Sequence, residues 1–194
     1  MSKKYRVLLV VAPAFLLVDQ ISKILVRHWL PQGDRIAIIP RFFNLVHVRN
    51  PGAAWGLMGE AENRLLIFLA VSVVAFVVIG MYVRALPATE GWLAAALAMI
   101  LAGAAGNFID RVVFHEVTDF LDFYVGWSGS LREFLLDKVH TTHYPTYNVA
   151  DIAIVVGVGM FLVHVLIIEP RQARRARQSK DGVPERTAVR ASGD

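Results

Sequence analysis

The sequence predicts an all-α membrane protein: a four-transmembrane-helix bundle with a small extracytoplasmic β-sheet and an interfacial helix or loop. Three observations carry this expectation. The 194 residues are 56% hydrophobic and only 19% charged, apolar beyond the composition of a soluble domain. Mean hydropathy is +0.50. Four apolar runs come close to the roughly 20 residues that cross a bilayer.

The first run spans about Tyr5 to Val26. Lys3, Lys4 and Arg6 ahead of Val7 to Val18 imitate a secretory leader, but no small-x-small cleavage site follows. It reads as a retained first helix. The second run, Leu65 to Val83, contains no charge. The third, Trp92 to Ile109, includes Ala102-Gly103-Ala104-Ala105-Gly106. Small residues let helices approach closely, so this span belongs at the centre of the bundle. The fourth covers about Val149 to Ile168. Residues 1–170 are expected to form one membrane domain, and 171–194 a basic, disordered cytoplasmic tail.

An even number of spans puts both termini on one side. The tails hold half of the Lys and Arg residues, including Arg171, Arg174, Arg175 and Arg177. The positive-inside rule makes that side cytoplasmic. The net charge of +4 therefore reads as topology signal and contact with anionic lipid, not as a nucleic-acid surface. The loops His28–Arg64 and Asp110–Asn148 then face outward. Ile36 to Val48, rich in β-branched and aromatic residues, predicts the small sheet. Leu131 to Val139 has helical spacing and predicts a helix lying in the interface. The chain has no cysteine, which excludes disulfides, thiolate catalysis and CxxC metal sites.

Two aspartates border the last two apolar runs, Asp119 and Asp151. A carboxylate is expensive there, on the order of 2.5–3.5 kcal/mol at a helix centre and less near the interface. Two converging carboxylates can share one proton and activate water. Each can equally be a helix cap, as Asp151 ahead of its apolar run suggests. Spacing alone leaves both readings open. Asp122 is a rival to Asp119: on a helix the two share a face, on a strand they oppose each other. Asp110 beside Arg111 reads as a helix-end ion pair. Asp19 and Lys23 can pair on one helix face in a structural role. Asn50 and Gly52 open a turn where a substrate backbone can come close. His140 and His143 have metal-ligand spacing but no third ligand nearby, so no metal site is expected.

Together these strings resemble the lipoprotein signal peptidase family (signal peptidase II). Asp19-Gln20 with Lys23, Asn50 with Gly52-Ala53-Ala54, Gly106-Asn107-Phe108-Ile109-Asp110-Arg111 with Val117-Thr118-Asp119-Phe120, and Tyr147-Asn148-Val149-Ala150-Asp151 look like its motifs, in order. Each string alone is weak, but four in order on four spans are specific. The resemblance implies an aspartic endopeptidase of the bacterial cytoplasmic (inner) membrane, without cofactor or metal. It would cut prolipoproteins before the diacylglyceryl-modified cysteine at the extracytoplasmic leaflet. By motif, Asp119 and Asp151 would be catalytic, and Asn50, Gly52, Asn107, Arg111 and Asn148 would bind substrate. Membrane lipid and globomycin-type cyclic inhibitors are the further partners implied. Two departures stand out: Gly126 to Tyr144 looks like an insertion, a lid or a partner surface, and Tyr147 replaces a usual Phe. A small transporter or proton-coupled channel would also need intramembrane acids, yet repeated halves or broken helices are not visible. A non-enzymatic assembly factor or lipid-binding protein would use the acids only as caps.

Overall fold

The computed structural model describes residues 1–52, 61–172 and 174. Ala53, Ala54 and most of the 171–194 tail lie outside the described residues. In chain order the elements are α1 (Lys3–Trp29), β1 (Arg35–Ile39), β2 (Phe43–Asn50), α2 (Ala61–Ala85), α3 (Trp92–Phe114), β3 (Val117–Phe123), α4 (Ser130–Val139) and α5 (Val149–Val163). A π-helical stretch, His164–Ile168, continues α5. Among the described residues four helices are long and apolar enough to cross a membrane, as the four apolar runs predict.

The third helix is the hub. Over its apolar window 56% of the residues are buried, against 17% or less in the other three. It packs on α1, α2 and α5. Its small residues make this possible: a Cβ on Gly103 would strike the Ala150 carbonyl, and one on Gly106 would strike the Asp19 carboxylate. From the other side, a Cβ on Gly157 of α5 would sit 2.7 Å from the Ala96 carbonyl oxygen. Such backbone approach supplies the van der Waals packing that joins helices where lipid removes the hydrophobic drive.

The end of the bundle that carries the N-terminus is closed by apolar packing. Ile79, Val83, Leu93, Ala96 and Leu97 form its core, with Met160 and Phe161 against it. Lys4 is buried there and donates to the carbonyls of Val83 (3.0 Å), Arg84 (2.9 Å) and Leu86 (2.6 Å). It caps the C-terminus of α2, where unpaired carbonyls and the helix dipole favour a cation. Charge counting alone assigns Lys4 to topology; the fold gives it this second task.

The opposite end carries an antiparallel sheet in the order β1-β2-β3. The strand predicted near Ile36 to Val48 is there as a β1–β2 hairpin. The third strand follows α3 after a turn through His115 and pairs with β2, so that Val48 faces Asp119 and Asn44 faces Asp122. The predicted helix at Leu131 to Val139 is α4, and none of its residues is buried.

Below the sheet sits a buried charge cluster. Lys23 is fully buried and spends its three N–H bonds on Asp19 (3.0 Å), Asp110 (3.1 Å) and the Asn107 amide oxygen (2.9 Å). The expected Asp19–Lys23 pair is therefore present. The expected Asp110–Arg111 pair is not: Asp110 takes Lys23 and Arg27 (3.3 Å) instead. Neighbouring residues on a helix point about 100° apart, and Arg111 lies over the Phe68 ring, 4.3 Å from its centre. Removing one member of a buried ion cluster strands the others. Lys23→Met is therefore expected to destabilise the fold by about 3 kcal/mol or more. Thermal unfolding in detergent checks this; a melting temperature equal to wild type would exclude a supporting role for the cluster.

Candidate active site

Three chain segments meet where the sheet rests on α1 and α3, beside the N-terminus of α5. The first is the end of β2, which delivers Asn50. Gly52 follows with φ of +86°, a conformation that suits glycine. Its N–H donates to the Asn50 amide oxygen at 2.8 Å. That bond orients the Asn50 amide so that its NH2 faces Asp119, at 2.8 Å.

The second segment is β3. Asp119 is 2% exposed. Asp122, three residues on, points to the opposite face, as extended backbone requires. It is held by the Asn44 amide (2.7 Å) and by His143 Nδ1 (2.8 Å). Asp122 is therefore engaged away from Asp119, and His143 is its partner.

The third segment is Tyr147 to Asp151. The Tyr147 carbonyl accepts from the N–H groups of Phe120 (3.1 Å) and Leu121 (2.9 Å). Its ring stacks on Phe123 at 5.9 Å. This stitch lays Asn148 alongside Asp119. Asn148 caps α5 and Asp151 completes a reciprocal capping box. The capping reading of Asp151 thus holds together with its place beside Asp119. Asn148 reaches both acids: its side-chain NH2 donates to Asp119 at 2.8 Å, and its backbone N–H donates to Asp151 at 3.1 Å.

Asn107 adds a second donor to Asp151, at 2.8 Å. Its amide oxygen accepts from Lys23 and from the Asn148 NH2 (3.2 Å). Only the NH2 is left to face Asp151, so the charge cluster sets which way this amide points. Asp19 helps from below by accepting the Ala150 N–H at 2.9 Å, which satisfies an open donor in the first turn of α5. The sequence sets an Asn with each acid segment, Asn107 and Asn148, but not the hydrogen bonds they make; the spacing of Asn148 and Asp151 as a capping box is a legible signal.

Burial pushes the Asp119 carboxyl up to about 6 from its usual 3.8, and the nearby Asp151 charge adds to this. The amides of Asn50 and Asn148 pull in the other direction. The two carboxyls differ in access: Asp119 is sealed in, and Asp151 borders an opening. That opening is an apolar groove of about 480 Å³ bordered by Asp151, Phe123, Tyr144, Tyr147, Ile152 and Val155. Among the described residues no group of three or more His, Asp or Glu side chains is arranged to hold a metal.

Known proteins resemble this chain over most of its length. The family model for signal peptidase (SPase) II matches residues 11–167. The lipoprotein signal peptidase of Maridesulfovibrio salexigens is 38% identical over 162 residues, covering 82% of this chain and 95% of that protein. The lipoprotein signal peptidase of Geobacter sulfurreducens is 39% identical over 173 residues, covering 89% and 99%. A bacterial membrane enzyme solved in meso at 1.9 Å superimposes with a TM-score of 0.68 at 26% identity, over 82% of this chain and 92% of that one. With a family match over most of its length and relatives well above 30% identity, this chain belongs to the signal peptidase II family and is a multi-pass membrane protease of the lipoprotein signal peptidase type.

Proposed function

We propose that this chain is an aspartic endopeptidase that removes the signal peptide of prolipoproteins, with Asp119 and Asp151 as the catalytic pair. It would cut on the N-terminal side of the diacylglyceryl-modified cysteine. The observation that carries the reading is Asn148, one residue whose side chain and backbone hold both acids at hydrogen-bond distance.

In this mechanism Asp119 carries the shared proton, because it is the sealed member. Asp151, at the groove, is the base. A water between them loses a proton to Asp151 as its oxygen adds to the scissile carbonyl carbon. Asp119 gives its proton to the carbonyl oxygen. The tetrahedral diol then collapses, the C–N bond breaks, and the proton on Asp151 passes to the departing amine. The second product is the carboxylic acid end of the signal peptide, and Asp119 recovers its proton from the diol. Asn50, Asn107 and Asn148 hold the carboxyl groups with neutral donors, so neither acid is locked in its charged form.

Gly52 keeps Asn50 aimed. Arg111, fixed over Phe68 and within electrostatic reach of both acids, is assigned to a substrate carbonyl. The apolar groove beside Asp151 suits a substrate that arrives laterally from lipid, and a globomycin-type cyclic peptide would compete for it. The basic tails support a topology with both termini in the cytoplasm and the site at the extracytoplasmic leaflet of the inner membrane.

Asp119→Asn and Asp151→Asn are each expected to lower cleavage of a diacylglyceryl-modified prolipoprotein by about 100-fold or more, while Asp122→Asn stays active. Purified variants in detergent test this, and survival of cleavage in both dyad variants would end the aspartic mechanism. The pH profile is a second test. The reactive form has Asp119 protonated, so kcat/KM should fall as pH rises through about 6. Asn50→Ala removes a bond that favours ionised Asp119, and the falling limb should move to higher pH. A limb that stays in place would separate Asp119 from the titration.

A further inference from the structure

We propose that the segment Gly126–Tyr144 builds a subsite for the first residues of the mature chain, and that this subsite selects apolar or aromatic side chains. This rests on the protease reading above and adds to it a specificity.

The segment is fastened at both ends. Gly126 N–H donates to the Arg41 carbonyl (2.8 Å), Val125 N–H to Thr142 (3.0 Å) and Tyr144 N–H to Phe123 (2.8 Å). His143 stacks on Tyr124 at 4.9 Å while bound to Asp122. Between these fastenings α4 stands away from the body, with Leu135 as its one half-buried residue and the rest exposed. The space beneath is a groove of about 710 Å³ between α4 and the end of the sheet. Phe42, Phe123, Val125, Leu135 and Val139 give it an apolar wall. The charges of α4, Arg132, Glu133, Asp137 and Lys138, are not among the residues that line it. A volume of this size is in the range of pockets that enclose a ligand.

The occupant follows from continuity. Phe123 and Tyr144 border both this groove and the one at Asp151. Asp119 and Phe123 are four residues apart on β3, so the groove begins about 13 Å along the strand from Asp119. An extended substrate covers that distance in about four residues. The signal peptide side of the scissile bond stays with the apolar helices. Only the mature side continues over the sheet, and it is that side which meets the groove.

The test uses the full-length enzyme and diacylglyceryl-modified peptides identical through the modified cysteine. One series has Leu or Phe at mature positions 2–5, the other Asp or Glu. Wild type should cleave the apolar series with kcat/KM about tenfold higher, the discrimination an apolar pocket typically supplies. Leu135→Asn and, separately, Val139→Asn should abolish that preference by lowering cleavage of the apolar series to the level of the acidic series, and continued cleavage of the acidic series shows that the variants are folded. Equal cleavage of both series by wild type, or full preference in both variants, would overturn the subsite while leaving the protease reading intact. Cleavage of neither series by wild type would overturn both. In a parallel crosslinking arm, a photoreactive group at mature position 5 should label α4. Labelling of α4 from the acyl chain instead would make lipid the occupant and overturn the assignment.

Discussion

Lys23 is a cation with no exposure in a helix made to cross a membrane, and the arrangement around it organises much of the protein. A buried ammonium is tolerable only when its charge is paired and its hydrogen bonds are used. Asp19 one turn earlier and Asp110 on α3 provide the charge. The remaining N–H goes to Asn107, and this choice orients the amide that holds Asp151. Asp19 in turn accepts from the first turn of α5. One side chain thus ties α1 to α3, links both to α5, and sets a hydrogen bond at the candidate site.

The acids divide into two kinds by what holds them. Asp19 and Asp110 face cations and bind helices to one another. Asp119 and Asp151 face amides: Asn50 and Asn148 for the first, Asn107 and the Asn148 backbone for the second. Cations beside a carboxylate favour its charged form strongly, whereas neutral donors fix its position with a weaker bias. An acid that must both hold and release a proton is better served by amides. The shared Asn148 also makes the two acids a mechanical unit, since any shift of the α5 N-terminus moves the support of both.

The sheet contributes by length as well as by position. Its β3 strand carries Asp119 on one face and Asp122 on the other, and then runs on to Phe123 beside the fastened 126–144 segment. The helix-against-strand ambiguity for Asp119 and Asp122 is resolved by β2, whose Val48 and Asn44 pair opposite them. The hydropathy of Val117–Phe123 taken alone did not distinguish a strand from the end of a span. Asp110 departs from its expected pairing for a related reason: its neighbour in sequence is Arg111, but its neighbours in space are Lys23 and Arg27.

The sequence by itself determined the four spans, the crowded Gly- and Ala-rich hub helix, the β-rich outer loop, the Asp19–Lys23 pair and the short list of polar residues from which the site is built. These are local properties, written in hydropathy, in one-turn spacing and in motif strings. Only the tertiary structure decided which polar groups meet. Asn50 and Asp119 are separated by 69 residues and Asp19 and Ala150 by 131. Their meeting depends on close approach of backbones at Gly103 and Gly106 and on the register of β2 against β3. The direction of each amide depends in turn on its other partner. Hydrogen bonds and ion pairs act over a few ångströms in space, so their pairing becomes defined only when helices and strands pack.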